Sequence, residues 1–462
     1  MIGLQNQTNL SGTRRASGWS GDNYSERYLK FISSYSRTKR PVAVDFRKLV
    51  PFHSGIDRYS HLLHFYPAKL LLNIPYFFLN CDVLTKSCKN VLDPFCGSGT
   101  VLLESILSGR NAFGADANPL ARLISKAKTT PLSNVAVGRA LRRIVQRAKD
   151  EPQLTRMPQS LLDWNHWYSK KVFKQLSQLS YHIGKTRNAD TRAFFELCLS
   201  QTTRKVSLAD PKISVPVRLN PNKDNLPDAL REHTQLLLES ASEADAIEIF
   251  QRIAKGNLQR LERLKSVDRL GSVAPLMNNA MHLDEIDSCS IDLIITSPPY
   301  AGAQKYIRST SHSIGWLQLS PDETLRTLEK LNIGREHYSK SEYSVEQEID
   351  INGLTPQLKR IRNKNPLRAH IVSNYLTEMQ QCLQECYRVL RSGGIFVLII
   401  GNNVVCGESF NTRNYLKKIS ENLGFSVELI LRDDINSRGL MTKRNKTASV
   451  ISCEWILILK KP

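Results

Sequence analysis

Asp93-Pro94-Phe95-Cys96-Gly97-Ser98-Gly99-Thr100 decides the fold. Residues 90 to 93 read as a short strand and Val101 to Leu107 as a helix, so the two glycines fall where one becomes the other. Glycine at 97 and 99 removes side chains where the backbone must turn sharply and come close to a ligand. A strand before and a helix after aim backbone N–H groups into the crevice. Asn111 to Asp116 makes a second strand, followed by the helical run Leu120 to Lys128. Strand, glycine turn, helix, strand opens a doubly wound α/β domain. Asp116, at the end of the second strand, can take both hydroxyls of a ribose with its two oxygens. Leu102 stands where a dinucleotide cradle needs its third glycine, and no Gly-Lys-Ser or Gly-Lys-Thr completes the glycine turn, so a phosphate loop there is excluded.

The second informative string is Thr296-Ser297-Pro298-Pro299-Tyr300. It follows the apolar run Ile291 to Thr296, the pattern of a buried parallel strand, and so falls at the strand-end edge where α/β crevices lie. An exocyclic amine on a nucleobase is a poor nucleophile because its lone pair is delocalised into the ring. A site that uses one must accept hydrogen bonds from the NH₂ group and hold it in line with an electrophile. Ser297 supplies a side-chain acceptor and the Pro298 carbonyl a backbone one. Pro298 and Pro299 stiffen the turn, and Tyr300 offers a flat face to an extruded base.

Taken together, the two strings resemble the amino-directed (cytosine-N4 or adenine-N6) S-adenosylmethionine-dependent DNA methyltransferases. The family pattern D-P-F-x-G-x-G-T is met from Asp93 to Thr100, and D, N or S followed by P-P-Y is met by Ser297 to Tyr300. The resemblance implies a Rossmann-like class I methyltransferase fold, a mixed seven-stranded sheet flanked by helices, here with a largely helical insertion. It implies S-adenosylmethionine as cofactor, held by Asp93, Phe95, Gly97, Gly99 and Thr100, with Asp116 on the ribose. His64-Phe65-Tyr66-Pro67-Ala68-Lys69 resembles the segment that completes the methionine pocket, which adds Lys69. Where the family carries an acid for the adenine amine, this chain has Asn279, which would accept through its amide oxygen. Ser297, Pro298, Pro299 and Tyr300 become the catalytic loop of a direct displacement on a flipped base, without a metal. The serine form favours cytosine N4 over adenine N6. No Pro-Cys dipeptide occurs, so carbon-5 methylation has no candidate nucleophile. The alternatives are an RNA enzyme, for instance one acting on guanine N2 of transfer RNA, and a catalytically silent DNA-recognition subunit.

Periodicity divides the remainder. Residues 1–58 read as a basic, loosely packed arm, with order beginning near Tyr59; 59–130 hold the cofactor motifs; 131–270 form a helical insertion that reads the target; 271–462 complete the domain, interrupted by a polar stretch at 318–367. Within the insertion, amphipathic helices are expected over Val137 to Lys149, Val172 to Ile183, Arg192 to Val206 and Ala244 to Leu264, with a proline-rich loop from Asp210 to Leu226 lying along a substrate. Leu376 to Leu390 reads as a helix closed by Gly393-Gly394, and Val427 to Leu431 with Trp455 to Leu459 as a hairpin at a sheet edge.

Lys and Arg number 64 against 43 Asp and Glu, a net charge of +21, which favours a polyanionic partner, here double-stranded DNA. Arg204, Lys205, Arg218, Lys223, Arg438, Lys443, Arg444 and Lys446 are candidate phosphate contacts. A cognate restriction endonuclease is the protein partner that the resemblance admits; oligomeric state is left open. Nine cysteines without framework spacing fit reduced thiols in a cytoplasmic protein, with Cys382 and Cys386 as core residues. The first residues carry no secretory signal, and no run of about 18 apolar residues suggests a membrane span.

Overall fold

A computed structural model describes residues 23–52, 58–67, 69–150, 163–302, 306–320, 324–344, 351, 353–435 and 451–462. Its centre is a sheet of strands β1 (Val42–Val44), β2 (Asn90–Asp93), β3 (Asn111–Gly114), β4 (Ile291–Thr296), β5 (Leu390–Ile400), β8 (Ser426–Asp434) and β9 (Cys453–Lys460). Strands β6 (Asn403–Val405) and β7 (Glu408–Phe410) form a separate small hairpin. The seven strands run in the order β1-β8-β9-β5-β4-β2-β3. β3, β2, β4 and β5 are parallel neighbours, whereas β9 is antiparallel to both β5 and β8. Ile294, Ile295, Val397, Leu398, Ile456 and Leu457 are buried on both faces of this sheet, which is why these strands read as unbroken apolar runs. The result is the expected mixed seven-stranded, Rossmann-like sheet. Because β2 and β4 lie side by side, the glycine turn and the Ser-Pro-Pro-Tyr loop leave the same edge next to each other.

The amino-terminal segment is a correction. Instead of a loose arm, residues 24–49 form a helix (Tyr24–Thr38), strand β1 and a short helix (Phe46–Leu49). β1 joins the sheet parallel to β8, pairing Val42 with Leu431 and Val44 with Asp433. Tyr24, Tyr28 and Tyr35 lie on one helix face and are buried, and Phe46 is fully enclosed. Phe77 gathers these rings, with centroids 5.5 Å from Tyr24 and 5.7 Å from Phe46. The apolar face is made of tyrosines separated by Ser, Arg and Lys, which hides it from a reading based on aliphatic residues.

Three further expectations change. The helix before β5 is longer, Pro366–Val389, and the chain enters β5 directly at Leu390. Gly393, at φ +73°, sits inside that strand, where the register with β4 shifts, so it makes an irregularity in a strand and not a helix stop. The terminal strand pair is not at the edge, since β1 covers β8 and β9 lies between β5 and β8. Ahead of Asn279 the chain makes only isolated bridges, from Val273 to Ala112 in β3 and from Met277 to Ala115 just after it. That segment still runs close, because a Cβ at Gly271 would fall 1.9 Å from the Arg110 carbonyl oxygen.

The insertion is helical as expected, with helices at Asn134–Asp150, Lys170–Gly184, Ala189–Lys205 and Ala246–Glu262, plus an unanticipated Asp228–Glu243 that buries no residue. Its Leu141, Leu176, Phe194, Phe195 and Phe250 share one apolar cluster with Leu102, Ile106 and Ile124 of the cofactor half. Insertion and domain therefore fold around a common core. Cys382 and Cys386 are buried in the other large cluster. Among the described residues no helix is long and apolar enough to cross a membrane. Phe46→Ala should cost about 3–5 kcal/mol in urea unfolding; a loss below about 0.5 kcal/mol, the level of an ordinary surface change, would restore the loose-arm reading.

Candidate active site

The glycine turn is shaped by what presses on it. Gly97 and Gly99 both take positive φ, +48° and +70°, and a Cβ on Gly99 would lie 2.7 Å from Ser125 Oγ and 3.0 Å from Ser125 Cα. The turn thus rests on the helix Pro119–Thr129, whose start is capped by Asn118. From that helix the fully buried Lys128 donates to the Ser98 carbonyl, and burial pushes its ammonium well below the usual lysine range. Ser60 Oγ donates to the Lys128 carbonyl at 2.7 Å, tying the preceding segment to the same point.

Two buried carboxyls flank the turn. Asp116 Oδ2 accepts from the Gly97 N–H at 2.9 Å and Oδ1 from the Asn118 N–H at 2.8 Å. Burial raises it to about 6, against the pull of these hydrogen bonds. Asp93 Oδ1 accepts from the Phe95 N–H at 3.1 Å and from Thr296 Oγ1 at 2.5 Å, a bond that crosses from β2 to the last residue of β4. Burial raises Asp93 to about 7.

A cavity of about 610 Å³ opens between the two loops, lined by Tyr66, Phe95, Gly97, Asp116, Asn279, Ser297, Pro299, Tyr306, Asn332 and Ile333 among others. A second, of about 450 Å³, is lined by Tyr300, Tyr306, Ile307, Asn332, Ile333, Gly334 and Arg335 among others. Tyr306, Asn332 and Ile333 belong to both, so the cavities adjoin. The wall from Leu331 to Gly334 is pressed onto the acceptor loop. A Cβ at Gly334, φ +73°, would come within 3.0 Å of the Tyr300 carbonyl oxygen, and the Gly334 carbonyl accepts from the Gly302 N–H at 3.0 Å.

Of the residues singled out in the sequence, Phe95, Gly97, Asp116, Asn279, Ser297 and Pro299 meet on the first cavity and Tyr300 on the second. Asp93, Gly99, Thr100 and Pro298 line neither. Asp93 is turned to Thr296 and Phe95, Gly99 to Ser125, and Thr100 is buried as the first residue of its helix. Lys69 also lies away from the cavity, donating to the His61 carbonyl at 2.9 Å; Tyr66 from the same segment takes the place expected of it. Asn279 Oδ1 already accepts from the Met281 N–H at 2.9 Å. Ser297 makes no side-chain hydrogen bond to another described residue, leaving its hydroxyl for a ligand. From the segment 64–69 the sequence pointed to Lys69 and not to Tyr66, and it gave no reason to name Leu331, Asn332 or Ile333; Gly334, isolated in a polar stretch, was the one signal of a close approach there.

The residues of the first cavity fit the nucleoside part of S-adenosylmethionine. Each Asp116 oxygen has spent one acceptor position and keeps another, Tyr66 and Phe95 supply aromatic walls, and Gly97 presents backbone alone, a Cβ there falling 3.5 Å from the Tyr66 ring. The proposed phosphate contacts fare differently. Arg204 donates to the Ile213 and Asp210 carbonyls, and Arg218 to those of His166 and Asn165, so both hold loop backbone in place. Lys205 and Lys223 are exposed. Arg438, Lys443, Arg444 and Lys446 lie outside the described residues.

Because the folded Asp93 keeps its proton to about pH 7 and an unfolded Asp loses it near its usual value, about 3.9, its contribution to stability is complete below about pH 4 and is lost as pH rises through 7. Asp93→Asn, which keeps an oxygen for Thr296, should gain stability relative to wild type by up to about 1.4 kcal/mol per pH unit across that window. Urea midpoints between pH 4 and 8 check this; a wild-type-to-variant difference that does not change with pH would contradict it.

Residues 64–181 match a family model described as UPF0020, RMKL-like, methyltransferase domain. The type II methyltransferase M.MvaI of Kocuria varians is 23% identical over 367 residues, covering 75% of this chain and 77% of that protein. The type II methyltransferase M.AvaI of Nostoc sp. (strain PCC 7120) is 23% identical over 395 residues, covering 75% of each. A solved S-adenosylmethionine-dependent methyltransferase of Methanosarcina mazei is 10% identical, over 82% of this chain and 95% of that one, at a TM-score of 0.28, too loose a superposition to carry weight. The glycine turn and the paired loops on adjacent strands thus stand in a chain that is similar, over residues 64–181, to a methyltransferase domain and, over three quarters of its length, to type II methyltransferases.

Proposed function

We propose that this protein methylates the exocyclic amine of a base in double-stranded DNA at a selected site, cytosine N4 ahead of adenine N6. The observation that carries the reading is the pair of adjoining cavities, one beside the glycine turn with Ser297 on its wall and one with Tyr300 on its wall, meeting at Tyr306, Asn332 and Ile333. DNA is favoured over RNA by the names of the sequence relatives and by the net charge of +21.

S-adenosylmethionine, when bound, supplies an electrophilic methyl group on a sulfonium. The chain does the rest. Asp116 takes ribose hydroxyls, while Tyr66 and Phe95 enclose the apolar part. Asn279 Oδ1, with one acceptor position used by the Met281 N–H, keeps the other for the cofactor's adenine amine. On the acceptor side, Ser297 Oγ and the Pro298 carbonyl accept from the NH₂ group, which draws the nitrogen toward tetrahedral geometry, and Tyr300 stacks on the extruded base. Ser297, uncharged, cannot take a proton for long, so the displaced amine proton leaves to solvent after transfer. A cognate endonuclease of the same specificity, and a cytoplasmic location beside the chromosome, suit such an activity.

The test is incubation of the purified chain with methyl-labelled S-adenosylmethionine and genomic DNA or total RNA, followed by nucleoside mass spectrometry. N4-methylcytosine in DNA is expected. N6-methyladenine would overturn the choice of base, label in RNA alone would overturn the choice of polymer, and no label would leave a silent recognition subunit. Ser297→Ala and Tyr300→Ala should each lower kcat by roughly 10²-fold or more, the scale for losing an aligned polar group at a reacting centre, while cofactor affinity stays within a few-fold of wild type. Wild-type turnover in both would remove the loop from the chemistry.

A further inference from the structure

Arg204 and Arg218 are spent on backbone carbonyls, yet a +21 chain that handles a duplex must meet phosphates somewhere. The helix Asn134–Asp150 offers the place. Val137, Ala140, Leu141, Ile144, Val145 and Ala148 form its buried face. Its opposite face carries Arg139, Arg142, Arg143, Arg147 and Lys149, all exposed. Among the described residues, Arg139, Arg142, Arg143 and Lys149 have no ion pair or hydrogen bond of their side chains. The single acid, Asp150, accepts from Gln146 at 2.6 Å and neutralises none of these four.

A solvated surface does not account for this pattern. Some exposed cations elsewhere have partners, as Lys30 with Glu26, Lys126 with Asp190 and Lys171 with Glu243, and others such as Lys205 and Lys223 stand without one among the described residues, but the Asn134–Asp150 face gathers four unpaired cations on one side of one helix. Like charges three and four residues apart, as at 139, 142 and 143, cost helix stability. Arg147 and Lys149 sit in the last turn, where the helix dipole favours them; Arg139, Arg142 and Arg143 are mid-helix and get no such help. Four of the five are arginines, whose forked donors match phosphate oxygens. From Arg139 to Lys149 the face runs roughly 15 Å at 1.5 Å per residue. A duplex presents a phosphate about every 3.4 Å per strand along its axis over that length.

The helix is also joined to the acceptor side. It packs on Lys170–Gly184, and the segment leading into that helix places Trp164 4.4 Å from Trp316 and Trp167 4.7 Å from His312, ring centre to ring centre. Trp316 and His312 belong to the helix Ser311–Trp316, which follows the acceptor loop. We infer that the exposed face of Asn134–Asp150 is a phosphate-binding surface that holds the DNA backbone beside the acceptor cavity. The inference rests on the DNA reading above.

The full chain carrying Arg139→Gln, Arg142→Gln, Arg143→Gln and Lys149→Gln tests it, against a control of equal charge change made at Lys30, Lys126, Lys171 and Lys417, each to Gln. Binding of a fluorescein-labelled 30-base-pair duplex of random sequence is measured between 50 and 200 mM KCl. The helix variant should flatten the plot of log K against log salt by about 2 to 4, near 0.9 per lost phosphate contact. The control should keep the wild-type slope. Unchanged cofactor affinity in both shows that they are folded. Equal slopes in wild type and helix variant, or equal flattening in both variants, overturns the surface while leaving the DNA reading intact. A wild-type chain that shows no salt-dependent binding to the duplex overturns both.

Discussion

One hydrogen bond, from Thr296 Oγ1 to Asp93 Oδ1, joins the ends of the two strands on which this active site depends. The glycine turn proposed to hold the methyl donor follows Asp93, and the loop proposed to grip the acceptor follows Thr296. Two loops far apart in sequence are thereby fixed at 2.5 Å from each other at their roots. The bond is buried, where a polar contact is electrostatically stronger than in water and an unmatched one is costly. A slip of β4 against β2 would leave Asp93 without that donor, so the bond also guards the register that sets donor cavity against acceptor cavity.

Around this root the insertion acts as a support as much as a recognition element. His64 Nε2 lies 2.8 Å from Ser200 Oγ, which in turn donates to Ser313 Oγ at 2.7 Å. The three residues come from the segment before the glycine turn, from an insertion helix, and from the helix after the acceptor loop. Asn257, on another insertion helix, adds a donor to the Leu63 carbonyl at 3.1 Å. The insertion therefore touches both lips of the crevice through fixed polar contacts. A duplex held on its outer face meets a body that is continuous with the chemistry, not a tethered module.

The sequence made some of this plain and concealed the rest for physical reasons. β2 and β4 were readable to the residue because a buried parallel strand has no polar face to blur its limits. The six site residues that do converge were legible because their chemistry depends on short, contiguous strings. Leu331 to Ile333 were not, since the wall they form is placed by the packing of Gly334 on Tyr300, and a polar stretch gives no hint of where it will fold. Lys69 and Tyr66 exchanged roles because the segment's direction, set by the Lys69 to His61 hydrogen bond, decides which side chain points inward. The amino-terminal strand escaped notice because three residues with a mixed burial pattern carry too little periodicity, and its tyrosine-faced helix looks polar.

That strand has a temporal consequence. β1 is made well before β8, the strand it pairs with among the described residues, and β8 pairs in turn with β9, made later still. Contacts of such long sequence separation carry a large loop-closure cost and form slowly. Until β8 arrives, Phe46 and its neighbouring tyrosines face no sheet edge and present an aromatic patch to the cell. Completion of this sheet thus waits on the nascent chain, and a strand made before the glycine turn finds its place only after the strands that follow the acceptor loop.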